Sequence, residues 1–516
     1  MTSTDLASNQ VPAKAGTHSS AARAASGWIP AFAGILFLLV VAALAPRAGA
    51  AERVSDRQVL HILDRLAFGP TTADVKHVKA IGIEGYIAEQ LDPDAILESS
   101  ELNKRLAGLE TLKLDPVQLF AEYGPLRATD GMQPSPEDQK ARRQRARLIL
   151  EQAQAARIWR ALYSPRQLQE VMVDFWYNHF NVFANKALDR LWVGAYEAEA
   201  IRPYALGRFR DLLGATAHHP AMLFYLDNAQ NAAPGSKGLN GREAGINENY
   251  ARELMELHTL GADGGYTQDD VVALARILTG WGLARPNALP ASGSGFVFYP
   301  ARHDNGDKHF LGQDIAGNGE AEGKKALDLL AASPATARHI GFELAQYFVA
   351  DQPPEALVDR LAARFQETGG DIKSTLKVLF ASREFRDSTG AKYKSPYRFV
   401  LSAARAARIS ADNPKPLLGA MARLGQPLYG CMTPDGYRDT EAAWLSPDAS
   451  LLRVNFAKAL AGGNLPIVDG AKPVEAAPLL ATLGTGLSGR TRAAVAQAQP
   501  ELQAALILGS PDFMRR

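Results

Sequence analysis

The chain has 516 residues, 47% of them hydrophobic and 22% charged, an ordinary balance for a globular protein with a sizeable core. Its 56 Lys and Arg nearly match its 55 Asp and Glu, so no charge excess argues for nucleic acid or for an acidic solvating tail. The single cysteine, Cys431, excludes an intramolecular disulfide and reads as a small buried residue.

The first element is an export signal over residues 1–50. The uncharged run from Ala31 to Ala45 lies between Arg23 and Arg47, and Ala48-Gly49-Ala50 supplies a small-x-small cleavage site. The run is long enough to enter a translocon and short for a stable span of ~20 residues. Cleavage after Ala50 is the favoured reading. The competing one is an uncleaved anchor counted from Trp28, and only then is a membrane a partner. No twin-arginine pair precedes the run, which favours the general secretory route. Loss of Lys14, Arg23, Arg47 and Asp5 leaves the mature chain near neutrality. Val11 to Ser20 and Trp28 to Gly34 resemble translated repetitive genomic sequence, so the true start of the chain stays open. The expected location is periplasmic or secreted.

Helix signals dominate the remainder of the chain. Ser55 and Gln58 frame a capping box before a run of leucines. Short helices are expected from Thr72 to Gly82 and on through Gln90, then a long one over Glu137 to Tyr163. Ser164-Pro165-Arg166-Gln167 reads as N-cap, N1 proline and N3 glutamine of a helix through Phe180. The next two are Asn247 to Leu260 and Thr267 to Gly280. Further helices are read at Pro334 to Val349, Pro354 to Thr368, Ile372 to Ser382, Pro396 to Arg408, Leu451 to Ala461 and Arg490 to Leu508. The one clear strand signal pairs Phe296–Tyr299 with Lys308–Leu311 around Asn305-Gly306. Irregular polar stretches lie at Gly124 to Glu137 and Asn231 to Gly245. The fold expected over 51–516 is mainly α: a single large helical globular domain with a small β-hairpin, or two lobes meeting near 285–320. A basic cluster from Lys140 to Arg147 lacks interleaved aromatics and reads as a solvated face, so no nucleic-acid partner is expected.

Several blocks occur in order: RLAFGPT from Arg65, DFWYNHFNV from Asp174, HPAMLFYLDN from His219, NENYARELMELHTLG from Asn247 and GGYTQDDVVALARILTGW from Gly264. FYPARHDNGDKHFLG from Phe298, GGDIKSTLKVLFASREF from Gly369 and the final LGSPDFMRR complete the set. Together they resemble the domain of unknown function 1800 family. The resemblance implies an exported, mainly helical bacterial protein. It also implies a neighbouring domain of unknown function 1501 family protein, similar to sulfatases and phosphatases, as a partner. It carries no established reaction. Where many members end the fourth block without histidine, this chain has Leu257-His258-Thr259.

The same blocks carry the candidate chemistry. On a helix over Asn247 to Leu260, Glu248, Asn249, Arg252, Glu253 and Glu256 share one arc, with His258 on the other side. A metal site from Glu253, Glu256 and His258 is therefore disfavoured. An i, i+4 ion-pair ladder through Glu248, Arg252 and Glu256 is the simple reading; a cleft-facing acid/base set is the alternative. In the helix before it, Glu170, Asp174, Asn178 and Asn181 form a polar stripe, while His179 sits among Met172, Phe175, Trp176 and Phe180. A hydrogen-bonded core histidine is its default role, with ligation or proton transfer as the alternative. His303, Asp304, Asp307, Lys308 and His309 crowd the expected hairpin, where His303 and Asp304 are candidate ligands for a divalent metal. Their spacing is not that of a calcium loop.

Nucleotide-binding, serine-hydrolase and dinucleotide motifs are absent from the sequence. Two readings remain. The first is an envelope or extracellular hydrolase or lyase acting on a polymer such as polysaccharide. Asp174, His179, Glu253 and Glu256 would be catalytic, and Asn249, Arg252, Trp176, Trp281 and Lys308 would bind substrate. The second is a non-catalytic binding or assembly partner of a sulfatase-like exported protein.

Overall fold

Side-chain caps set where the helices begin. In the computed structural model, which describes residues 54–125, 134–238, 243–284 and 289–516, Ser55 and Gln58 form the reciprocal capping box, and the helix Asp56–Leu66 comes next. Thr71 with Asp74, and Thr267 with Asp270, do the same for Thr72–Gln90 and Gln268–Ile277. Gly82 (φ 80°) breaks Thr72–Gln90 into two helices end to end. The export signal and its cut after Ala50 lie outside the described residues. So do parts of both irregular stretches and of the region where two lobes would meet.

The fold of the described residues is mainly α, with two small two-stranded sheets. Val54–Arg516 forms one compact unit. Among the described residues no helix is long and apolar enough to cross a membrane. The long helix is Pro136–Tyr163. Beside it runs Gln167–His179, buried on most of its surface through Leu168, Val171, Met172, Phe175 and Trp176. Pro334–Phe348 packs on Glu355–Glu367, which Gly369 and Gly370 terminate.

Four local expectations are corrected. The hairpin does not pair Phe296–Tyr299 with Lys308–Leu311. Instead Trp281–Leu283 pairs antiparallel with Phe296–Phe298, and Lys308–Phe310 with Gln313–Ile315. Asn305-Gly306 is no hairpin tip, because the Asp304 carboxylate takes the Gly306 N–H at 2.9 Å and is itself gripped by Arg276. Ser164 accepts the Arg166 N–H, and Gln167 begins its helix while its side chain serves Ala161, Ser164 and Phe68. The helix expected over Asn247 to Leu260 is only Asn249–Glu256. Finally, Arg490 to Leu508 is two helices, Gly489–Gln497 and Pro500–Leu508, since Pro500 has no N–H to continue the first.

Candidate functional site

His339 and Glu343 lie one turn apart on Pro334–Phe348, so their side chains stand on the same face. His179, at the end of Gln167–His179, meets them there. Its Nδ1 is 2.6 Å from Glu343 Oε2, and His339 Nε2 is 3.6 Å from Glu343 Oε1. One ligating atom from each of the three lies within 4.8 Å of the others. Atoms that share a zinc ion at ~2.1 Å stand up to ~4.2 Å apart, so small side-chain rotations close the set. Burial pushes the Glu343 carboxyl up, but His179 and His339 outweigh it and hold the group below its ordinary range.

A backbone carbonyl orients the His179 ring, and another approaches the His339 nitrogen that faces Glu343. The turn after Asn249–Glu256 brings the His258 carbonyl to 3.1 Å from His179 Nε2 and the Leu257 carbonyl to 3.2 Å from His339 Nε2. With Nε2–H donated to His258, the His179 Nδ1 lone pair is directed at the cluster, an arrangement typical of ligating histidines. Gly261 permits the approach of His339. Its φ is +84°, and a Cβ there would stand 3.1 Å from the His339 ring. The His258 ring itself is buried. Desolvation first, then His179 and His339, keep its pKa well below the ordinary value, so it is neutral.

The cluster opens into a cleft of about 280 Å³. Phe175, Asn178, Leu257, Gln346 and Tyr347 line it with the three candidate ligands, and Asp435 to Thr440 form the facing wall. That wall is pinned. Asn178 gives a hydrogen bond to the Tyr437 carbonyl and takes the Tyr437 N–H, both at 2.8 Å. Asn181 donates to the carbonyls of Cys431 and Thr433. Farther along, Lys392 and Arg516 hold the Asp439 carboxylate.

Residues 61–515 match the family described as Protein of unknown function (DUF1800). The chain belongs to that family. No curated protein and no solved structure matches it.

Of the residues the sequence singles out in this DUF1800 chain, His179 is at the cluster and Asp174 lines the cleft beside it. Both Asp174 oxygens are engaged, one by Arg157 at 2.7 Å and the other by the Tyr347 hydroxyl at 3.2 Å. Glu253 is half-buried. Desolvation first, then the charges of Glu256 and Asp435, push its carboxyl above the ordinary range against the pull of Arg252. Glu253 stands one turn before Leu257 and within electrostatic reach of Asp435, two residues that line the cleft, but is not itself part of the lining. Arg252 bonds Glu248 and Gln268, which leaves Glu256 out of the expected ladder. Asn249 donates to the Leu226 carbonyl, away from the cleft lining.

The aromatic and hairpin candidates are corrected outright. Trp176 and Trp281 are 0% exposed, so neither offers a face to a substrate. Trp176 donates to the Ala205 carbonyl, and the Trp281 ring packs on His218, 4.3 Å between centroids. His303, Asp304 and Lys308 belong to a closed ionic knot. His303 meets Glu322 and the Thr279 carbonyl, each at 2.8 Å; Lys308 meets Glu322 at 2.5 Å; Asp304 is forked by Arg276. Glu322 is already bonded by Lys308 and by the Asn318 and Gly319 N–H groups, and neither it nor His303 is exposed, so the knot is closed to a metal. His339 and Glu343 are the residues that sequence reasoning missed. The available signal was a His and a Glu four residues apart on a helix already legible.

Proposed function

We propose that the cleft is the active site of an exported, divalent-metal-dependent hydrolase acting on acyl bonds, esters or amides, of an envelope polymer such as a polysaccharide. One observation carries the reading: two histidines and a glutamate converge at an open cleft, with the His179 ring oriented by the His258 carbonyl. His179, His339 and Glu343 would hold the metal, which when bound would supply an activated water. Hydrolysis would replace the acyl carbon's bond to the leaving oxygen or nitrogen by a bond to a water oxygen, and the leaving atom would need a proton from the protein. Glu253, whose carboxyl is raised and which stands one turn from the cleft-lining Leu257, is the candidate to carry the proton. Asp174, already committed to Arg157 and Tyr347, is a positioning residue behind the cleft.

The test is turnover of O-acylated and N-acylated polysaccharides by the purified exported chain, before and after chelation. Activity that disappears with the metal, returns with zinc, and falls at least about 100-fold in His339→Ala and Glu343→Gln is expected. Stoichiometric metal without turnover on any acylated polymer would favour the non-catalytic binding role. Turnover indifferent to chelation and to both substitutions would remove the metal from the mechanism.

A further inference from the structure

Five side chains of fixed charge line the cleft: Asp174, Glu343, Asp435, Arg438 and Asp439. Three of them are already answered. Asp174 meets Arg157 at 2.7 Å, Glu343 lies between His179 and His339, and Asp439 lies 3.1 Å from Lys392 and 3.2 Å from Arg516. Asp435 and Arg438 are exposed, and neither forms an ion pair or a side-chain hydrogen bond among the described residues. Asp435 lies within electrostatic reach of Glu253, whose carboxyl it helps to raise, so its end of the wall is acidic. Among the described residues, Arg438 is the one lining side chain of fixed positive charge.

Arg438 is unpaired, yet its backbone is held on both sides. Before it, Tyr437 exchanges two hydrogen bonds with Asn178, each at 2.8 Å. Its own carbonyl takes the Trp444 indole N–H at 2.8 Å. After it, the buried Lys392 and Arg516 hold Asp439. An arginine on a loose loop would be an ordinary surface charge. Here the backbone that presents the guanidinium is fixed against the helix that carries His179, and its five N–H donors face no protein acceptor.

The same stretch of wall offers ring surface. Tyr437 lines the cleft, Trp444 is half-buried, and their ring centroids are 5.9 Å apart. Ring faces beside a planar, charged fork suit a sugar that bears an anionic group.

We infer that Arg438 is a specificity-determining residue that pairs with the anionic group of an acidic sugar, so that the polymer taken by the cleft is a polyanionic polysaccharide. The inference rests on the reading of the cleft as the place where a polymer binds. The carboxylate of a uronic acid and a sulfate ester present the same paired acceptor oxygens to a guanidinium. Asp435 confines either group to the Arg438 end of the wall.

Equilibrium binding at fixed ionic strength reads Arg438 without requiring turnover. The full exported chain is titrated with polygalacturonate against its methyl ester, and with dextran sulfate against dextran. An acidic polymer is expected to bind about 10-fold or more tightly than its neutral counterpart, and Arg438→Gln to abolish the preference. A preference in the first pair assigns a carboxylate; one in the second pair alone assigns a sulfate ester. Arg143→Gln, on the basic stretch of Pro136–Tyr163 and outside the cleft lining, is expected to bind like the unaltered chain. Equal binding within both pairs, no binding of any polymer, a preference that survives in Arg438→Gln, or one lost equally in Arg143→Gln would overturn the inference. Acetate release from the O-acetylated polymers is measured alongside. Binding through Arg438 without release fails the hydrolase reading alone, whereas release without an Arg438-dependent preference fails this inference alone.

Discussion

At the scale of single residues, the site depends on close approaches more than on unusual side chains. Gly436 shows this best. Its φ is +69°, and a Cβ would stand 2.3 Å from the Asn178 carbonyl oxygen. Gly436→Ala must therefore move the wall off the helix that carries His179, at a cost of about 2–3 kcal/mol in unfolding free energy. Chemical denaturation should read that loss; a change under about 0.5 kcal/mol would show that the wall is not pinned there. The residues that matter were unevenly legible. His179 stood out because it sits in an aromatic block with Asp174 and Asn178. His339 and Glu343 did not, since a His and a Glu at i, i+4 are common on helix surfaces. Only contact with His179, far away in sequence, gives the pair meaning. Trp176 and Trp281 misled for the opposite reason. Aromatics beside polar residues look like a sugar platform, yet both rings are wholly in the core.

At the scale of elements, the helices were legible because their ends are written in side chains. The Thr267 and Asp270 pair is a direct case, with both reciprocal bonds formed. Thr267→Ala should cost about 1 kcal/mol of stability, measured by the same denaturation, and no measurable loss would contradict a capping role. The strands were not legible in the same way. Trp281–Leu283 comes directly after a helix in sequence and reads as its tail, and its partner begins only at Phe296. Register in so short a sheet is set by tertiary contacts, here the Arg276 grip on Asp304 and the Glu322 knot. The turn after Asn249–Glu256 carries a related lesson. Its block is dense in Glu, Arg and His side chains, but its gift to the cluster is two backbone carbonyls, which no residue pattern displays.

At the scale of the whole molecule, the interior holds charge and buried imidazole as well as apolar surface, so stability should depend on pH. Desolvation lowers His61 to about 4, helped by Arg65 and opposed by the Phe385 carbonyl; desolvation alone lowers His219 to about 3. In the unfolded chain both titrate near 6.5. As pH falls through 6.5 the unfolded state takes up protons that the folded state refuses until the lower values are reached. Stability conferred by these groups is therefore present above about pH 6.5 and declines below it, by ~1.4 kcal/mol per pH unit for each histidine. Between pH 6.5 and 5 each should account for a loss of about 2 kcal/mol. His219→Asn, which keeps an acceptor for the Ala221 N–H, should remove its share; an identical acid loss in the variant would refute the assignment. The fold class and the family blocks were readable along residues 54–516, while the cleft joins segments distant in sequence and becomes visible only in the fold. The metal centre rests on His179, His339 and Glu343, and anomalous diffraction at the zinc edge from zinc-equilibrated crystals tests it most directly. One peak within about 2.3 Å of ligating atoms of His179, His339 and Glu343 is the predicted result; no peak there, or a peak at His303 and Asp304 instead, would contradict it.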